Sequence, residues 1–321
     1  MTEKTSRLAN MPISLFAVVM GLAGLALVVQ KAHTVWGLPV IFGHIAAVLV
    51  LLVFLGISGG YVAKAFKHPD MVRWEFNHPI RLSFFPAMSI ALILMGIVLS
   101  DLMPPLAAAF WAVGALLHLL FTLSILSQWM HQERFEIQHS NPAWFIPIVG
   151  NILVPLAGVP LGFEAISWFF FAVGLVFWLP LFAILLNRYF FHTPMPAKLM
   201  PTLFILIAPP AVGFLAWMQL TGGESVDAFG QILYHFALFL TLLLFWQIRY
   251  FVRLDFGLPW WAYSFPMAAI TVASMKMASV TGLAGYYWIA GVLGIALVAL
   301  MGLLMVLTVR AAKAGKICVP E

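Results

Sequence analysis

Long apolar runs separated by short polar connections repeat from one end of the chain to the other. Most runs reach ~18 residues or more, the length at which a helix crosses a hydrocarbon core of roughly 30 Å. Read as helices, they predict ten spans: 12–30, 38–63, 79–100, 106–129, 142–161, 165–186, 199–220, 229–247, 259–280 and 286–309. At ~1.5 Å rise per residue these account for nearly all of the 321 residues.

The basic residues fix the direction of the spans. Lys4, Arg7, Lys64, Lys67, Arg73, Arg81, Arg134, Arg188, Lys198, Arg249, Arg253, Arg310, Lys313 and Lys316 fall at the two ends or in the connections after the second, fourth, sixth and eighth spans. The remaining connections hold only Lys31, beside Asp101, Glu164, Glu224 and Asp227. Cytoplasmic loops carry the lysine and arginine excess. An even number of spans with both termini cytoplasmic, in a cell inner (plasma) membrane, satisfies that bias.

Odd and even spans differ. Each odd span opens on or just after a proline, and four of the five carry another inside: Pro86 after Pro79, Pro147 and Pro155 after Pro142, Pro209 and Pro210 after Pro201, Pro266 after Pro259. An early proline suits a helix start, because the first amides lack intrahelical partners. An internal one removes a hydrogen bond and kinks the helix. In lipid that loss is tolerated only where protein or a water-filled cavity meets the freed backbone groups. The even spans are dominated by Leu, Ile, Val and Phe. The pattern predicts a single all-α membrane domain of five hairpins, each a kinked inner helix followed by a straight outer helix facing lipid.

Composition agrees. The chain is 64% hydrophobic and 8% charged, with a mean hydropathy of +1.05, against about a quarter charged residues in soluble domains. Its net charge of +5 lies between the spans and serves topology, which speaks against nucleic acid as a partner. The single cysteine, Cys318, excludes an internal disulfide and a Cys-ligated metal. The polar start runs straight into the first span without a small-residue cleavage site, so that span reads as an uncleaved helix.

The ninth span carries WWAYSFP, Trp260 to Pro266, followed by MAAITVASMKMAS through Ser279. This run resembles the pore helix of the plant slow-type guard-cell anion channels and, more loosely, that of the bacterial tellurite-resistance protein TehA. NHPIRLSFFPAM (Asn77 to Met88), NPAWFIPIVGN (Asn141 to Asn151) and MPTLFILIAPPAVG (Met200 to Gly213) are similar to the family's third, fifth and seventh helices. The resemblance implies five hairpins in quasi-five-fold symmetry around a central pore, a homotrimer with one pore per subunit, and a phenylalanine gate that falls on Phe265.

Phe265 directly precedes Pro266, at a kink where a ring projects off the helix line. A ring in a narrow pore excludes water, and an ion does not pass without its hydration shell or a substitute. Phe16, Ala17, Phe84, Pro86, Phe145, Pro147, Phe204, Pro209 and Pro266 are the candidates for the rest of the lining, against ordinary helix packing for any one of them. Lys276 is the one basic residue well inside a span. Such a charge is costly unless it faces water or a partner; a pore mouth and snorkelling to the headgroups both satisfy it. Arg81 and Lys198, at the starts of the third and seventh spans, are candidates for a positive inner vestibule or plain topology signals.

No Asp or Glu lies in the middle of a span, which argues against cation channels and proton-coupled carriers. His44, His118 and His235 lie in spans, one to a span. That fits interhelical hydrogen bonds better than haem, as it does for Asn151. The reading is a non-enzymatic anion channel without cofactor or metal, passing nitrate and chloride. The alternative is a carrier or exporter of dicarboxylate, sulfite or tellurite-type anions, which calls for two basic groups at mid-membrane; the sequence offers no such pair.

Overall fold

The computed structural model describes residues 6–319; Lys4 lies outside them. Among the described residues there is helix and no strand. In chain order the α-helices are α1 (Phe16–Trp36), α2 (Val40–Lys67), α3 (Pro69–Asn77), α4 (Ala87–Val98), α5 (Pro104–His131), α6 (Ile146–Val149) and α7 (Pro155–Gly158). They continue as α8 (Glu164–Phe191), α9 (Ala208–Leu220), α10 (Ala228–Trp246), α11 (Ile248–Phe251), α12 (Ser264–Thr281) and α13 (Ala284–Lys313).

Eight helical segments among the described residues are long and apolar enough to cross a membrane: Ile13–Trp36, Val40–Lys67, Arg81–Val98, Pro104–His131, Glu164–Phe191, Ala197–Leu220, Ala228–Trp246 and Ala284–Lys313. The two remaining expected spans take a different form. Pro142–Gly158 is a shorter apolar segment in which 3₁₀ turns alternate with the single turns α6 and α7. Three prolines leave it no uninterrupted α-helix. The other, α12, is an 18-residue helix carrying Lys276 and five Ser or Thr residues. Most of it is buried in protein, so it has little need of a lipid-compatible surface.

Burial separates the spans into two kinds. Arg81–Val98 and Ala197–Leu220 are each 72% buried, and Ile13–Trp36 is 56% buried. The intervening helices range from 22% to 39%. Contacts give the reason. α1 packs against α4 and α12, α12 against α9, α9 against the broken segment at Gly150–Leu153, and that segment against α4, closing a ring. Each ring member packs on the long helix that follows it, and those helices turn Leu52, Leu116, Val176 and Ile295 outward.

Every ring member also begins with a 3₁₀ turn: Ile13–Leu15, Arg81–Phe84, Pro142–Phe145, Ala197–Ile207 and Leu258–Tyr263. These five turns touch one another in the same cyclic order. The N-terminal ends of the ring members are therefore gathered on one face.

Where α1 meets α12 the backbones approach closely. A Cβ on Gly21 would lie 2.7 Å from Ser264 Cβ and closer still to its Oγ, and one on Gly24 would lie 2.6 Å from Ala268 Cβ. Small residues are what bring membrane helices to this separation. Gly21→Ala is expected to cost about 1–3 kcal/mol by overpacking, read as a lower melting temperature of the purified protein in detergent. An unchanged melting temperature would mean that α1 and α12 part without penalty.

Helix α5 supplies the side chains that hold the broken segment. Thr122 Oγ1 donates to Pro147 O at 2.7 Å, and Trp111 Nε1 donates to Val154 O at 2.9 Å. Asn151 Nδ2 donates to Ile148 O at 2.7 Å and to Thr122 Oγ1 at 2.9 Å. His118 sits on the same face, its Nδ1 2.8 Å from Ser89 Oγ, with its ring filling the space beside Gly150. His118 thus joins α5 to α4 through Ser89, and Asn151 joins the broken segment to α5 through Thr122.

Candidate functional site: a central apolar cavity

All five ring members border one cavity of about 70 Å³. From α1 come Ala17 and Met20; Phe84, Ala87 and Ile90 come from the third span. The broken segment adds Phe145, Val149 and Leu153, the Ile205–Val212 stretch its own face, and Trp261, Phe265 and Pro266 complete the circle. No lining residue is charged, and nearly all of the lining surface is apolar.

Phe265 is 9% exposed, in the first turn of α12. Pro266 follows it in the same turn and has no amide to donate. On α1, a Cβ on Gly24 would stand 3.5 Å from Phe265 Cδ2. Beside the ring, Trp261 is buried and its Nε1 donates to Thr308 Oγ1 on α13 at 2.9 Å, which holds the indole in place.

Of the residues expected at a lining, Ala17, Phe84, Phe145, Pro209, Phe265 and Pro266 border the cavity. Phe16, Pro86, Pro147 and Phe204 do not. Phe16 is fully buried, edge-on to Tyr61 at 6.0 Å. Pro86 presents its carbonyl to Ser89 Oγ, and Pro147 its carbonyl to Thr122. Phe204 packs edge-on to Tyr263 at 4.7 Å and Phe251 at 5.2 Å. Met20, Val149, Val212 and Trp261 were not singled out in the sequence. Each lies three or four positions from a residue that was, the spacing that puts two side chains on one helix face.

The basic candidates stand away from the cavity. Lys276 Nζ donates to Gly223 O at 3.1 Å, in the connection after α9. Lys198 is exposed at the start of the Ala197–Ile207 turn. Arg81 lies over the Trp74 ring at 4.5 Å and 3.9 Å from Glu75 Oε1, so a carboxylate offsets part of its charge.

That carboxylate is the centre of a network absent from the sequence reading. Glu75, on α3, is 1% exposed. It accepts from Lys64 Nζ at 2.6 Å, from Tyr61 Oη at 3.0 Å and from the Ile13 amide at 3.0 Å. Lys64, 2% exposed, also donates to Met11 O at 2.7 Å. One carboxylate thereby ties α2 to the entry turns of the first and third spans.

The sequence of the chain matches known membrane transport proteins. A family model described as "Voltage-dependent anion channel" (SLAC1) matches residues 10–309. The S-type anion channel SLAH2 of Arabidopsis thaliana is 32% identical over 286 residues, 86% of this chain and 54% of that protein. The guard cell S-type anion channel SLAC1 of the same plant is 27% identical, over 86% of this chain and 51% of its own. A tellurite resistance protein TehA homolog of Haemophilus influenzae is 24% identical over 81% of this chain and 79% of its own. The chain spans about half the length of the plant relatives it matches.

Proposed function

Because this chain belongs to the voltage-dependent anion channel family, we propose that it conducts small monovalent anions, nitrate and chloride among them, passively through the central cavity. The observation that carries this reading is the placement of Phe265 in an apolar cavity bordered by all five ring members. In this reading the ring of Phe265, set among apolar side chains from all five ring members, is the gate. An apolar constriction of this kind blocks by excluding water.

Selection for anions is long-range and comes from the ends. The five entry turns stand on one face, where α1, α4, α9 and α12 present the positive ends of their dipoles and where Arg81 and Lys198 lie. Lys276 serves the opposite mouth. Inside, nothing replaces lost hydration strongly, so weakly hydrated nitrate passes at least as well as chloride.

The reading includes ten membrane passes as five hairpins with quasi-five-fold symmetry, the broken segment and α12 being the fifth and ninth. It places both termini in the cytoplasm of a cell's inner membrane and assembles the chain as a homotrimer with one pore per subunit. A carrier of dicarboxylates needs paired basic groups at mid-membrane, and the lining offers none.

Vesicles holding the purified protein and loaded with potassium chloride or nitrate test the mechanism. With valinomycin setting the potential, anion efflux is expected to rise with driving force, without saturation and without a counter-anion. Saturable efflux that requires an exchangeable anion outside would overturn conduction in favour of a carrier.

A further inference from the structure

At the basic end of the spans, between α2 and α5, a second hollow of about 490 Å³ lies outside the ring. Its floor is aromatic: Phe85 meets Phe76 edge-on at 4.9 Å and Phe121 at 6.4 Å. Val62 and Ala65 of α2 form one wall, and α3 crosses above, contributing Val72 and Arg73. Lining surface is almost wholly apolar, and the volume falls within the ~300–1,000 Å³ of small-ligand sites. The hollow is separated from the central cavity, with which it shares no lining residue.

Three observations say what fills it. The hollow opens beside outward-facing apolar residues of the long helices, among them Val62 and Leu55 on α2 and Leu120 and Leu123 on α5, where lipid tails are the surrounding medium. Helix α3 turns Val72 and Phe76 into the hollow and leaves Asp70 and Arg73 exposed, with Arg73 at the hollow's edge, the pattern of a helix lying in the headgroup plane. Arg73 lines the hollow and Lys67 stands in the chain between the lining residues Ala65 and Pro69; both are exposed, and Asp70 pairs with Arg73 at 3.7 Å and offsets a single charge. Basic pockets between spans on the cytoplasmic side are the pattern that holds anionic headgroups.

We propose that this hollow is a lipid site holding one acyl chain of an anionic phospholipid, with its phosphate on Arg73 and Lys67. The proposal rests on the chain spanning a membrane and is independent of whether the central cavity conducts.

The test uses the full chain in detergent with phosphatidylglycerol or phosphatidylcholine carrying a photoactivatable diazirine on one chain, the labelled peptides being mapped after digestion. Residues 61–88 are expected to be labelled, and more by phosphatidylglycerol. A juxtamembrane basic residue favours anionic lipid by an amount equivalent to about fivefold. Arg73→Gln, on the surface and unneeded for packing, is therefore expected to reduce phosphatidylglycerol labelling by about that factor and to leave phosphatidylcholine labelling unchanged. Equal labelling by both lipids, or none in this stretch, overturns the proposal. So does a disulfide between two copies formed by Val62→Cys in a Cys318→Ser background, which would assign the hollow to a second copy of the chain.

Discussion

Phe265→Ala raises anion current by ~10-fold or more over the wild-type protein and keeps its preference for anions over cations. The argument is steric and dielectric. The ring borders an apolar cavity, and trimming it to a methyl group widens that space into a path that water can fill. A tenfold gain needs only ~1.4 kcal/mol off the barrier, far less than the cost of driving an ion through a dry constriction. Selectivity survives because the lysines, arginines and helix ends that attract anions are untouched. Phe214→Ala is the matched control. Phe214 is also fully buried in the ring, but it packs against Tyr234 at 5.6 Å and does not border the cavity. That variant is expected to lose about 3–5 kcal/mol of stability and to gain no current. Current recorded in planar bilayers under a chloride gradient separates the two. An assembled Phe265→Ala protein with wild-type current would remove the gate from this residue.

Glu75→Leu costs the protein about 3–5 kcal/mol, the largest loss expected from any single exchange outside the ring. Removing the carboxylate leaves Lys64 buried without a counter-charge, and that desolvation penalty accounts for most of the effect. Tyr61 Oη and the Ile13 amide lose their acceptor as well. Lys64→Met alone has a similar cost, because it strands the acid. The double variant Lys64→Met/Glu75→Leu is expected to recover much of the loss, since an apolar pair of similar volume replaces a buried ion pair at little net cost. Melting temperatures of the four proteins close the cycle. Additive losses would show that Lys64 and Glu75 do not act as a pair.

These two predictions differ in how far the sequence foretold them. Phe265 was reached through the run Trp260 to Pro266, a local pattern. Glu75 was not reached at all, because its partners lie 11, 14 and 62 residues away and it stands in a stretch that reads as a polar connection. Lys64 looks like a topology signal from sequence, and only burial distinguishes the two roles.

The long spans were legible because lipid makes the same demand of each: every backbone group satisfied internally, and an apolar surface outside. The prolines fall on the ring members, where interrupted backbone finds protein partners such as Thr122 and Trp111. Lining residues were half legible, and the misses have a geometric cause. A 3₁₀ turn advances ~120° per residue where an α-helix advances ~100°, so each entry turn rotates the face that follows. Over the eleven residues of Ala197–Ile207 the shift is large, and Ile205 borders the cavity where Phe204 turns to Tyr263.

α12 is the helix that carries Phe265, and by hydropathy it is not among the segments able to cross a membrane unaided. Its serines, threonines and Lys276 are tolerable only beside other protein. In the structure those partners are α1 and α9 as well as α13, the 30-residue and far more apolar helix that follows it. A helix that lipid alone would not hold thus depends on its neighbours for its place, and the position of Phe265 depends on them with it.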